Sequence, residues 1–184
     1  MNLHPTNADV QLGALAVLVS LYRVNPHADL SETTCSPLLK AVLEATAQHP
    51  NDETLQKVAC FVIMLLVQSD QMRTCAGHEG CIEHVMLVMT QHPSDAEAQE
   101  LACGALMALM HGHSRNVGRA KDARSLEQTV LAISLHRTRP SVVKPALVAL
   151  WHMLAQLDED WKTQAFYGDM QSLAAHCGCL EELA

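Results

Sequence analysis

The sequence predicts an all-α fold of stacked helical repeats, an α-solenoid, and three observations predict it. First, one phrase recurs. His4-Pro5, His49-Pro50 and His92-Pro93 are each followed, seven residues after the histidine, by Gln11, Gln56 and Gln99. A fourth copy lacks the proline but keeps His136. The histidines lie 45, 43 and 44 residues apart, and Ala14, Ala59, Ala102 and Ala146 keep the same steps. A period in the forties marks stacked helical units. Second, hydrophobic residues make up 49% of the chain but aromatics only 3%, and small or unbranched helix formers dominate. Third, 184 residues suffice to bury roughly 70% of the unfolded surface in one unit.

The period divides the single domain, 1–184, into a partial copy (1–25), three full copies (26–68, 69–112, 113–157) and an insertion with a further partial copy (158–184). The first copy reads as one helix, Asp9 to Arg23. Polar residues 27–34 hold a short helix or turn. Pro37–Gln48 carries Leu38, Leu39, Val42, Leu43 and Thr46 at helical spacing. His49-Pro50-Asn51-Asp52 stops that helix and starts the next, which runs through Val67.

The third copy is the clearest. Ser69–Gly77 predicts a short helix broken between Gly77 and Gly80, and Cys81–Gln91 an amphipathic one. Pro93 suits the first turn of the following helix, where Ser94 and Glu97 have capping-box spacing, and that helix extends to about Met110. Gly112 and polar 114–122 separate it from a helix at Ser125–Leu135. In the fourth copy Pro145 falls where a helix interior is expected. A proline there costs about 3 kcal/mol, so the helix is expected to start or bend at Pro145. The period breaks at Leu157–Trp161, with an insertion of about ten residues. Gly178-Cys179-Leu180-Glu181-Glu182-Leu183 then matches Gly80-Cys81-Ile82-Glu83-His84-Val85. Neither end offers a polar capping unit, so the chain is expected to be a slice of a longer array or to have covered ends, and uncapped ends allow homo-association.

Charge and motifs narrow the function. A net charge of −8 with no basic run argues against nucleic acid or anionic membrane as partner. The longest apolar run, Val58–Val67, is too short to span a bilayer, so no membrane insertion is expected. No signal peptide is visible. Seven cysteines are an odd count, and Cys60 and Cys103 recur at one repeat position, so they read as small buried packing residues in a reducing, cytoplasmic compartment. Cys75-x-x-His78-x-x-Cys81 and His176-Cys177-Gly178-Cys179 have ligand types for zinc but no standard spacing, and the structural reading is preferred; no metal or cofactor is expected. The histidines of the His-Pro copies lie about one repeat apart, which suits turn packing rather than one shared ion. Phosphate-loop, His-Glu-x-x-His and Gly-x-Ser-x-Gly patterns are lacking, and the chain is read as non-enzymatic.

The unit Arg73…Gly80-Cys81-Ile82-Glu83-His84-Val85…His92-Pro93…Ala98-Gln99-Glu100-Leu101-Ala102-Cys103-Gly104-Ala105-Leu106…Leu109 resembles an armadillo repeat. HEAT repeats are the near neighbour. The resemblance implies a right-handed solenoid of three-helix copies whose long third helices line a concave groove. It also places a tryptophan and an asparagine on each such helix in relatives that hold extended basic peptides. Here the tryptophan places are Ala16, Phe61, Gly104 and Val148, and the asparagine places are Ser20, Leu65, Ala108 and His152. Without that ladder an extended backbone would lose partners at about 1–3 kcal/mol per group, which disfavours an import-receptor role. The groove-edge positions Leu12, Lys57, Glu100 and Lys144 do not make a basic groove for acidic ligands either.

The groove is therefore expected to be apolar and weakly charged. Phe61 and Leu65 point to its concave side on a helix that is hydrophobic all round, unless tight curvature covers them. Trp151 aligns with Val19, Met64 and Met107, and is either packing between copies or an aromatic anchor. The expected function is a non-catalytic protein-binding scaffold for a helical or extended segment. The alternative is a structural repeat segment of a larger multidomain protein, such as a kinase, ciliary or trafficking scaffold, with its groove filled in cis.

Overall fold

Side chains at the helix starts set where the elements begin. In this computed structural model, which describes residues 7–24 and 32–155, the Asp52 carboxylate accepts from the Leu55 amide at 2.9 Å and opens a helix at Glu53. The Ser69 hydroxyl does the same for Met72 at 3.2 Å, and Asp95 for Glu97 and Ala98 at 2.9 and 3.2 Å. Each such contact supplies a partner to a helix-end amide that the helix itself cannot satisfy, typically worth about 1 kcal/mol.

The described residues form α1 (Ala8–Val24), α2 (Glu32–Gln48), α3 (Glu53–Leu66), α4 (Asp70–Glu79) and α5 (Cys81–Gln91). They continue with α6 (Ala96–Met110), α7 (Ser114–Asp122), α8 (Ser125–Leu135) and α9 (Pro140–Leu154). No strand occurs among them, and the fold is all-α. No helix among the described residues is long and apolar enough to cross a membrane.

The four longest-spaced elements pack in chain order: α3 lies against α1 and α6, and α6 against α3 and α9. The intervening helices follow a matching order, with α2 against α3, α4 and α5, and α5 against α6, α7 and α8. One continuous apolar cluster runs through all of them, from Leu15 and Leu39 through Ile63, Ile82 and Leu106 to Leu150 and Met153.

Two junctions turn on backbone handedness. Gly80 ends α4 with φ 92°, and its amide donates to the Ala76 carbonyl. A left-handed residue suits glycine because it carries no Cβ to collide with the carbonyl. Arg124 holds the same place between α7 and α8 with φ 58°, a conformation that costs a side-chain-bearing residue roughly 1–2 kcal/mol.

Five expectations need correction. The helix expected at Pro37–Gln48 begins earlier, at Glu32, and runs through Pro37, so residues 32–34 belong to it rather than to a separate short helix or turn. The break after Ser69–Gly77 comes only at Gly80, because α4 runs on through Gly77 to Glu79. The capping box at Ser94 and Glu97 does not form; Asp95 caps α6, since its carboxylate reaches two free amides at once, and Pro93 sits in the preceding turn. The polar segment 114–122 is not a spacer but α7, held by buried Asn116, Val117 and Ala120. The last helix neither starts at Pro145 nor waits for it. It opens at Pro140, whose missing N–H is harmless in the first turn, and Pro145 forfeits a bond only to the carbonyl of exposed Ser141. The expected break at Leu157–Trp161 and the Gly178–Leu183 match lie outside the described residues, as do 27–31 of the polar stretch.

Candidate interaction surface

The recurring histidine phrase builds the turns before α3 and α6. The buried Gln56 amide donates from Nε2 to the Thr46 and His49 carbonyls, both at 3.0 Å. Gln99 repeats this on Met89 and His92, also at 3.0 Å. The seven-residue spacing thus returns a long amide to the carbonyls that end the preceding helix, where it adds a second donor to the one backbone N–H that Thr46, His49 and His92 each accept. His136 Nε2 donates to the Pro93 carbonyl at 2.9 Å, and His92 Nδ1 lies 3.9 Å from Glu53, so two of these histidines stitch one turn to the turn before it.

A second seam escaped the sequence reading. Asn116, fully buried on α7, donates from Nδ2 to Leu109 at 2.8 Å and to Arg73 on α4 at 2.9 Å. His113 Nδ1 accepts from the Asn116 amide, which leaves its proton on Nε2, and that proton is donated to Thr74 Oγ1 at 2.9 Å. Arg73 Nε in turn donates to the Ala108 carbonyl at 3.1 Å. The only available signal was that Asn116 stands seven residues after Leu109 in the last turn of α6, as each glutamine stands after its histidine.

The residues singled out for a groove occupy α1, α3, α6 and α9. Ala16 and Ser20 are exposed, and the Ser20 hydroxyl donates to the Ala16 carbonyl at 2.8 Å. Phe61, Leu65, Ala108, Val148, Trp151 and His152 are all half-buried. Gly104 is buried, and a Cβ there would come within 3.0 Å of Met64 Sδ. Glu100 is exposed and Lys144 half-buried. Lys57 is spoken for: its Nζ lies 2.8 Å from Glu97 and 3.2 Å from Asp95 at the start of α6. The Glu97 contact, aided by Asp95, holds the lysine above its usual pKa against the opposing effect of burial. For Asp95 burial pushes upward, but the Ala98 amide and Lys57 outweigh it and leave the carboxyl below its ordinary range. The pair links α3 to α6 and removes one cation from the row.

His152 meets His111 edge-to-face, with ring centroids 5.5 Å apart. Burial first, and His111 second, lower its pKa. The remaining chemistry is muted. Burial pushes the Cys60 and Cys103 thiols up to about 12, with Cys103 adding to the effect on Cys60, so neither supplies a thiolate near neutral pH. Cys75 and Cys81 are buried, whereas His78 is exposed and accepts from Arg119 at 3.1 Å. No group of three or more metal-ligating side chains comes together among the described residues. His176, Cys177 and Cys179 lie outside them.

What the arrangement offers is a row of half-buried apolar side chains with little free charge. Compared with known proteins, the chain matches no family model, no curated protein and no solved structure.

Proposed function

We propose that the chain is an armadillo-type solenoid acting as a non-catalytic scaffold, and that its long helices α1, α3, α6 and α9 line a groove for a helical or extended segment of another protein. One observation carries the reading. Met64–Leu65, Met107–Ala108 and Trp151–His152 fall at the same register of three successive helices, and all six are half-buried. Their flanking neighbours Ile63, Leu66, Leu106, Leu109, Leu150 and Met153 are buried. A row left partly open at one register across packed helices is the geometry an apolar partner segment needs. With Lys57 neutralised, the row selects for shape and apolar area rather than charge. A cytoplasmic setting goes with this reading, since the buried Cys60 and Cys103 are not joined in a disulfide.

The test places a photo-crosslinking residue at Phe61 or Leu65, and at Glu127 on α8 as a control, and identifies what is captured. Capture of one protein at Phe61 and Leu65 but not at Glu127, lost in Phe61→Asp with melting unchanged, supports the groove. Equal capture at all sites removes it, and unfolding of Phe61→Asp would make that residue core.

A second reading has its own observation. Leu126 and Val130 on α8 are each 38% exposed, while Ile82 and Met86, which hold the same places on α5, are buried. That open face favours a structural segment of a larger assembly, with further helices packed on α8 and the groove filled in cis.

A further inference from the structure

Among the described residues, the outward face of α1 carries the three most exposed large apolar side chains. Val10, Val17 and Val24 recur every seven residues and are 39%, 58% and 86% exposed, and Leu21 beside them is 62% exposed. Gly13 completes the stripe, with nothing within 4 Å of where a Cβ would stand. The opposite face of the helix, through Gln11 and Leu15, is buried. A seven-residue recurrence of valine is the pattern of a helix paired along its length.

We infer that α1 is a self-association surface, pairing antiparallel with α1 of a second copy about a two-fold axis at Val17. The stripe is complementary to its own reversal. With the axis at Val17, Val10 of one copy faces Val24 of the other, and the gap at Gly13 faces Leu21, so a bulky side chain meets an empty place. The charges choose the same partner and the same direction. Asp9 and Arg23, both exposed, lie on one flank of the helix near its two ends. Antiparallel helices bring like flanks together, so each Asp9 lies beside the Arg23 of the other copy, twice per dimer. Antiparallel pairing also sets the positive end of each helix dipole beside the negative end of its mate. A contact of this kind is isologous and closes at two chains. Its Asp9–Arg23 flank also carries Ala16 and Ser20, the α1 positions of the proposed groove, so a partner segment that reached α1 would compete with the pairing.

The experiment is sedimentation of the full chain over a dilution series, followed by disulfide trapping, with the wild-type chain as the control for its own cysteines. The expected result is a particle of two chains at high concentration that becomes one chain in Val17→Asp, whose helicity stays unchanged because Val17 is exposed. Asp9→Arg and Arg23→Asp each weaken association, and both together in one chain restore it. Val17→Cys crosslinks to itself, whereas Val10→Cys and Val24→Cys crosslink efficiently only when mixed. A chain that stays single at every concentration overturns the inference. So does association that survives Val17→Asp, growth into open polymers, or self-crosslinking of Val10→Cys as strong as that of Val17→Cys.

Discussion

Leu109 on α6 and Leu21 on α1 are the same residue at the same register of two helices that carry the same repeated phrase, yet one is fully buried and the other 62% exposed. The difference lies in the neighbours. α6 is packed by α3, α4, α5, α7 and α9, whereas α1 rests on α3 and touches α2 only slightly. A helix's apolar face becomes core only where another helix is present to cover it.

The largest expected effect breaks the comparison directly. Leu109→Ala should cost about 2–5 kcal/mol of unfolding free energy, because it removes buried atoms and leaves a cavity. Leu21→Ala should stay within about 0.5 kcal/mol at concentrations low enough to keep the chain single. Urea titration of both variants decides it; similar losses would mean that α1 is as enclosed as α6.

Acid should act most strongly on the interior. Burial lowers the pKa of His84 on α5 to about 4, and its Nε2 has no hydrogen-bond partner among the described residues. The unfolded histidine takes a proton near 6.5, well before the folded one does. Stability from this group is therefore complete above the unfolded value and is lost as pH falls from about 6.5 towards 4. The full loss is of order 3 kcal/mol. His84→Leu should flatten the fall of melting temperature across that window, and an unchanged slope in the variant would assign the acid sensitivity elsewhere.

Two glycines sharpen the contrast at smaller scale. A Cβ on Gly77 would lie 2.0 Å from Asn116 Oδ1, on a side chain already committed to the Arg73 and Leu109 carbonyls, so Gly77→Ala should cost about 1–3 kcal/mol. At Gly104 the nearest atom is Met64 Sδ at 3.0 Å, the end of a flexible, half-buried chain that can swing aside. There alanine relieves the conformational penalty of a mid-helix glycine, and Gly104→Ala should be neutral or stabilise by up to about 1 kcal/mol. Thermal melts of the two variants should move in opposite directions or differ clearly in size.

Much of the element map was legible because its signals are local. The bounds of α5 and α8 and the end of α6 at Met110 follow from apolar spacing and from the phrase that punctuates each copy, and α1 differs by one residue at each end. The misreadings occur where a local signal competes with a partner from elsewhere. α7 looks like a spacer because only Asn116, Val117 and Ala120 of its nine residues are buried, and its hold on α4 comes through an amide 43 residues from Arg73. Ser94 has the right spacing for a capping box, but Asp95 also meets Lys57 from α3, which no reading confined to 92–97 contains.

By itself the sequence determined that the described residues are helical, where most of their helices begin and end, and that one phrase occurs three times in full and once in part. Hydrogen bonding within a helix and its caps spans only a few residues, so those signals sit in contiguous stretches. Which apolar face is covered was decided by tertiary structure alone. Val58–Val67 is hydrophobic all round, and the positions of α1, α2, α5 and α6 around it make Ala59, Val62 and Ile63 core while Phe61, Met64 and Leu65 stay half-open. Burial is a property of neighbouring helices, and a helix's own residues do not carry it.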